Sequence, residues 1–287
     1  MIGNTDIIRS LHQITSYPLD LGLEIYQEYP FLKMGVTSSV QHYAALLTPV
    51  AEEIIAANPQ YTHWVLTSPP RHRRPGAANL LCRAVYERLK RKAGAADYLS
   101  IVELANTEEA VFTFGNDTDF SNYHDYSKFS FEKRSTLKRK HDFVIKEENF
   151  LNKGIVFIND INVTGAGHEY IRQIFASVYP DNVNWLYIID CDASVGRARP
   201  ELESEINNFK IKSVLDFAAI LTENEIEHTA KCVSNLFTFD IEALQQLLKL
   251  LNPTQKSKLW DAVIEEDLYH GALFKDKIDL LRSHCVA

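Results

Sequence analysis

The stretch KGIVFINDINVTGAG, residues 153–167, decides the fold. Ile155-Val156-Phe157-Ile158 is an unbroken apolar run, as in a strand buried on both faces. A polar turn begins at Asn159-Asp160. Val163-Thr164-Gly165-Ala166-Gly167 then offers successive backbone N–H groups, two glycines and a hydroxyl directly before a predicted helix. Such a turn wraps a phosphate, because unpaired amides and the helix dipole both favour an anion. No Gly-Lys-Ser/Thr follows, so it is not a Walker loop, and it does not match GxGxxG.

Working outward, a helix is predicted from about His168 to Val178, with Tyr170, Ile171, Ile174 and Phe175 on one side. The next apolar run, Trp185–Ile189, ends in Asp190-Cys191-Asp192, which either caps that strand or lines a pocket. Upstream, His63–Thr67 reads as a strand ended by Ser68-Pro69-Pro70. Ala77–Lys92 follows as a helix and Tyr98–Leu104 as a strand. This alternation predicts parallel βαβ units, whose ligands bind beyond the carboxyl ends of the strands.

Residues 1–60 look mixed: short aromatic-rich segments over Tyr26–Met34, then a helical pattern over Val40–Ala57. Residues 106–133 read as a long polar and aromatic excursion, of a length that is often functional. From about Ser213 the pattern is helical only, with Asp240 capping one helix, Asn252-Pro253 ending it, and Thr254–Leu268 forming another. The expected architecture is α/β, a mostly parallel sheet with helices on both faces over residues 1–212. A C-terminal all-helical region, 213–287, completes it.

The 287 residues are 46% hydrophobic and 24% charged, which excludes disordered, collagen-like and coiled-coil chains. Four scattered cysteines without CxxC support neither a disulfide framework nor zinc-finger spacing. With no apolar run near the roughly 20 residues of a membrane span, a soluble cytoplasmic protein is expected. The net charge of −8 argues against general nucleic-acid binding. Residues 201–287 supply −6 of it, with 9 Lys/Arg against 15 Asp/Glu. By contrast, residues 71–92 hold eight basic residues against Glu87 alone, and Lys133, Arg134, Lys138, Arg139 and Lys140 form a second basic run. These are either solvated faces or two walls of a site for a polyanion.

IVFINDINVTGAG resembles the phosphoribosyl-pyrophosphate (PRPP) motif of type I phosphoribosyltransferases, and the likeness covers roughly residues 60–195. Within that fold the chain is most similar to the ComF-like branch. There an early strand leads through a Pro/Arg-rich segment, here Ser68 to Gly76, into a helix, and a basic stretch, here Ser135 to Lys140, precedes the motif strand. Helical C-terminal extensions also occur in that branch. The resemblance implies that Val163, Thr164, Gly165, Ala166 and Gly167 hold the 5′-phosphate, and that Ser68, Pro69, Pro70, Arg71 and Arg73 hold pyrophosphate. It further implies that Asp160 and Asn159 hold the ribose, with Lys138 and Arg139 neutralising the leaving group. The implied cofactor is Mg2+, carried by PRPP with Asp160 as a candidate contact. The partners expected are PRPP and an unidentified acceptor, with a second copy of the chain as a candidate for a homodimer and no membrane.

Three positions depart from the family pattern: Asn159 replaces the first acidic residue, Asn162 an aliphatic, and Gly167 the final hydroxyl residue. Asn159 can hydrogen-bond a hydroxyl but brings no negative charge. Phosphoribosyl transfer needs no nucleophilic side chain, and no GxSxG or HExxH is present. His63, His72, His141 and His168 form no metal-ligand spacing. Two alternatives stand beside the enzyme: a nucleotide-sensing module that has lost chemistry, and a scaffold docking a partner through its acidic helices.

Overall fold

The computed structural model describes residues 7–18, 22–71, 73–92, 94–106, 126–137, 145–176 and 183–285. Among these, five strands form one sheet: β1 (Ile7–Ile14), β2 (Trp64–Thr67), β3 (Leu99–Val102), β4 (Gly154–Asn162) and β5 (Val183–Cys191). Their order is β1-β5-β4-β2-β3, and every neighbouring pair is parallel. The apolar runs of β2, β4 and β5 therefore sit at the centre, covered on both faces, as continuous hydrophobicity requires. The central strand is longer than its apolar run. Pairing continues past Ile158, with Asn159 opposite Tyr187, Ile161 opposite Ile189 and Asn162 opposite Asp190. Asn159 and Asp160 thus lie within β4 rather than in the turn after it, because the ladder satisfies their backbone groups.

Helices α1 (Leu23–Met34), α2 (Thr37–Ala57) and α3 (Ala77–Lys90) bury Tyr29, Leu47 and Leu81 on one face of the sheet with Leu66, Val156 and Ile158. A short helix, α4 (Ala95–Tyr98), leads into β3, and α5 (Phe131–Leu137) follows the undescribed 107–125. On the other face, α6 (Ala166–Ala176) brings Ile171 and Phe175 against Phe157 and Trp185. Burying such side chains contributes roughly 1.5–3 kcal/mol each. After β5 come α7 (Ala193–Ala198) and α8 (Leu202–Asn207), whose Leu202 and Ile206 join the first core.

Within the first 60 residues, the helix read over Val40–Ala57 stands as α2, whereas two other segments differ from their sequence reading. Tyr26–Met34 belongs to one helix, α1, and Ile7–Ile14 is an edge strand paired with β5. Neither has a strong periodic pattern, so tertiary contact decides both.

The remaining helices are α9 (Val214–Glu223), α10 (Ala230–Leu236), α11 (Ile241–Leu250), α12 (Pro253–Glu266) and α13 (Lys275–Cys285). They enclose a separate core containing Phe217, Leu236, Leu247 and Leu259, joined by Met34 and Val36 from the α1–α2 joint. Local chemistry starts them. Asp240 Oδ1 accepts from Ala243 N at 2.7 Å, and Ser213 and Asn252 form capping boxes with Asp216 and Gln255. Pro253 occupies the first turn of α12, so Asn252-Pro253 ends one helix and opens the next. All four cysteines are free thiols, and no described helix is long and apolar enough to cross a membrane.

Two seams hold the helical region to the sheet region. At the first, Gly35 ends α1 with φ +90, and a Cβ there would lie 1.9 Å from the Glu227 carbonyl oxygen. Only glycine allows the 225–229 segment this approach, and Glu227 N donates to Gly35 O at 3.0 Å. At the second, Arg74 reaches the 228 carbonyl and the acidic end of α12.

Candidate functional site

Parallel pairing places the carboxyl ends of β1, β2, β4 and β5 on one edge, where open α/β sheets bind ligands. The 163–167 segment leaves β4 there and runs directly into α6. Gly165 has φ +82, a left-handed conformation that favours glycine, and a Cβ placed on it would meet nothing within 4 Å. The space over Gly165 is open. Val163, Thr164 and Ala166 are buried, which leaves the half-buried Gly165 and Gly167 as the accessible part of the turn. Thr164 Oγ1 accepts from Ala166 N at 3.4 Å. The loop is braced from behind by Gly196 of α7, where a Cβ would lie 1.7 Å from the Val163 carbonyl oxygen.

Successive residues of a strand face opposite sides, and Asn159 and Asp160 meet different surroundings. Asn159 is half-buried, and its Oδ1 accepts from Asp160 N at 2.9 Å. Asp160, 6% exposed, belongs to the interior: its Oδ2 accepts from Lys33 Nζ at 2.7 Å and from Tyr29 Oη at 3.1 Å. Burial alone would depress the Lys33 pKa, but Asp160 and then Glu203 more than reverse this and the ammonium is held charged. Burial and the Asp160 carboxylate push the Tyr29 phenol well above its usual range. Nearby, Glu203 pairs with Arg134 at 2.5 Å, and Arg134 also donates to the carbonyls of Ser127, Phe129 and Pro200. Neither Lys33 nor Tyr29 carries a sequence signal, because their partner lies well over a hundred residues away.

Next along the edge, the 68–76 segment leaves β2. Asn79 of α3 pins it, donating to Ser68 Oγ at 3.0 Å and Pro69 O at 2.8 Å while accepting from Gly76 N at 2.7 Å. Ser68 is buried, and Pro69, Pro70 and Arg71 are half-buried. Arg71 pairs with Glu103 at 3.2 Å, and Arg83 grips the same carboxylate; these contacts, Arg83 foremost, hold Glu103 below the usual carboxylate range. Arg73 pairs with Asp267 at 2.6 Å and Arg74 with Glu265 at 2.5 Å. Lys138 and Arg139, as well as His72 and His141, lie outside the described residues.

At the end of β5, Asp190 is buried and its Oδ1 accepts from Asn162 Nδ2 at 2.8 Å, while burial raises its pKa. Asn162, where the family motif has an aliphatic, therefore has a defined partner. Asp192 instead caps α7, accepting from Ser194 N at 2.8 Å. Cys191 is pushed up to about 11 by burial, which disfavours the thiolate a nucleophile would need. His168 bonds the Tyr187 hydroxyl at 2.8 Å.

A buried parallel sheet, a glycine turn entering a helix and an arginine-rich loop on the same edge define a phosphoribosyltransferase-type α/β protein. The family model described as PRTase ComF-like (PRTase, phosphoribosyltransferase) matches residues 7–281, and the chain belongs to that family. The match runs through the helical region as well as the sheet. No curated protein and no solved structure matches the chain.

Phosphoribosyltransferases generally use Mg2+ with PRPP. Among the described residues the donor set does not fit a protein-held ion. Among the described residues no group of three or more His, Cys, Asp or Glu could hold one, and the motif carboxylate Asp160 is already engaged by Lys33 and Tyr29.

Proposed function

We infer that the chain binds PRPP or a nucleoside 5′-monophosphate with the 5′-phosphate on the amides of Val163, Thr164, Gly165, Ala166 and Gly167. The observation that carries this reading is the open volume over Gly165 at φ +82, at the junction of a buried strand and a helix N-terminus. The phosphoribosyl group passes to a base or other small nucleophile: the C1–O bond to pyrophosphate breaks, the leaving oxygen keeps the electron pair, and a bond from C1 to the acceptor forms. The protein's part is positioning and charge stabilisation. Asn159 supplies hydrogen bonds for a ribose hydroxyl, and Asp160 acts through the Lys33 pair. Ser68, Pro69, Pro70, Arg71 and Arg73 receive pyrophosphate, with Lys138 and Arg139 neutralising it as it departs. Arg71 and Arg73 must then share their guanidinium groups with Glu103 and Asp267.

A second reading, a binding module without turnover, is favoured by one observation. The motif's single carboxylate is internally neutralised while its neighbour is an amide. Calorimetry with PRPP, on the parent and on Gly165→Val, tests the binding site; unchanged affinity in the variant would remove the phosphate assignment. Pyrophosphate release across a panel of bases and small amines then separates enzyme from binding module.

A further inference from the structure

Glu266, the last residue of α12, is 1% exposed. A carboxylate buried this deeply is costly unless a donor faces it. The donor is a backbone group of the arginine-rich loop: Arg74 N reaches Glu266 Oε2 at 2.8 Å. Beside it, Ala230 N at the start of α10 donates to Pro75 O at 3.0 Å. The Arg74 guanidinium donates twice to the His228 carbonyl, at 2.9 and 2.7 Å. The far end of the 68–76 loop is therefore fastened to the helical region through its main chain. The near end is fastened independently: Arg71 N donates to Leu104 O at 3.1 Å, and Arg71 O accepts from Asn106 N at 2.8 Å. Arg73 comes directly before the second of these anchors. Its own pair with Asp267 is half open to water on the arginine side, and such pairs contribute little, so an anion can displace the carboxylate.

We propose that Glu266, seconded by the Ala230 amide, is a positioning residue for the pyrophosphate part of the site. By holding the Arg74 N–H it sets where Arg73 projects beside Arg71, so the helical region completes the site. The proposal rests on the reading of 68–73 as the pyrophosphate loop. Glu266 itself touches no ligand; a loop whose backbone is already fixed loses less freedom when its arginines close on an anion. The other half of the site is braced elsewhere, because the 163–167 turn leans on Gly196 of α7 and not on α12. Weakening the Glu266 contact therefore acts on pyrophosphate and spares a 5′-phosphate.

The test is calorimetry with inorganic pyrophosphate and with ribose 5-phosphate. It is run on the parent, Arg71→Ala/Arg73→Ala, Glu266→Leu and Glu266→Gln, with folding checked by circular dichroism. Glu266→Leu removes the acceptor and is expected to bind pyrophosphate about tenfold more weakly, with ribose 5-phosphate within about twofold of the parent. Glu266→Gln keeps an oxygen for Arg74 N, so its pyrophosphate affinity should be retained. A merely structural role would move both ligands together or neither, and either result in Glu266→Leu overturns the proposal. So does a pyrophosphate loss in Glu266→Gln equal to that in Glu266→Leu. If Glu266→Leu does not fold, Ala230→Pro replaces it, since proline is accepted at a first helical position and deletes the N–H that holds Pro75 O. The same selective loss is expected there, and unchanged pyrophosphate affinity overturns the proposal. Loss in the arginine variant with Glu266→Leu unchanged removes this proposal alone. Pyrophosphate binding that is absent from the parent, or unchanged in the arginine variant, removes the reading of the loop and this proposal with it.

Discussion

Lys33 Nζ lies 2.7 Å from Asp160 Oδ2, with both side chains almost wholly enclosed, so the charge of the motif strand is cancelled from α1. The partners are 127 residues apart. The same Lys33 offers its carbonyl to Thr229 Oγ1 at 2.6 Å. One residue thus connects the strand end to the helical region.

Lys33→Met leaves Asp160 buried beside Tyr29 without its cation. Breaking one side of a buried pair costs about 3–5 kcal/mol, and urea unfolding should show a loss of that order. Lys33→Met/Asp160→Leu should recover much of it, since neither charge is then stranded. A single variant as stable as the parent means that the pair does not persist in solution.

Gly165→Val should separate folding from binding. A Cβ at Gly165 touches no protein atom, so the fold bears only the backbone strain of φ +82, about 1–3 kcal/mol. The volume proposed for the phosphate, however, becomes occupied. The expected result is a folded protein by circular dichroism that binds PRPP at least tenfold more weakly.

Gly196→Ala should do the reverse, damaging the loop through the fold. The added methyl would lie 1.7 Å from the Val163 oxygen and 2.6 Å from its carbonyl carbon, so α7 or the loop must move. Overpacking of this kind costs about 1–3 kcal/mol. Thermal melting should register it, and PRPP affinity should fall although Gly196 touches no ligand.

The joint around Arg74 carries two opposed pH dependences. Burial lowers His228 to about 4, so its contribution is full above pH 6.5 and is lost as pH falls toward 4. Burial raises Glu266 to about 7, so its contribution is full below pH 4.5 and is lost as pH rises toward 7. At 1.36 kcal/mol per pKa unit each slope amounts to about 3 kcal/mol. The two oppose each other between pH 4.5 and 6.5. Glu266→Gln should therefore gain stability as pH rises from 4 to 6.5, and His228→Gln should lose it from 4.5 to 7. Parallel profiles in the two variants would exclude this assignment.

Much of the sheet was legible because its central strands are continuous apolar runs and its later helices carry local caps. The 155–158 run, the 185–189 run and the Asp240 cap each depend on neighbours in sequence, and each stands where its pattern places it. The glycine turn was legible for the same reason: a left-handed residue at a strand–helix junction is written locally, as Gly165. The amino-terminal strand was not, since Ile7–Ile14 is an edge whose pairing with β5 supplies what its pattern lacks.

The parallel α/β class, the helical region and the glycine turn between β4 and α6 could be read from the residues in order, because periodicity, caps and glycine act over a few residues. The packed fold, by contrast, pairs Asp160 with Lys33, turns Arg73 and Arg74 to the acidic end of α12, and sets Gly196 against the turn. Those are contacts between surfaces far apart along the chain. Their distances and burial, which decide the worth of a charge, exist only once the two cores have packed.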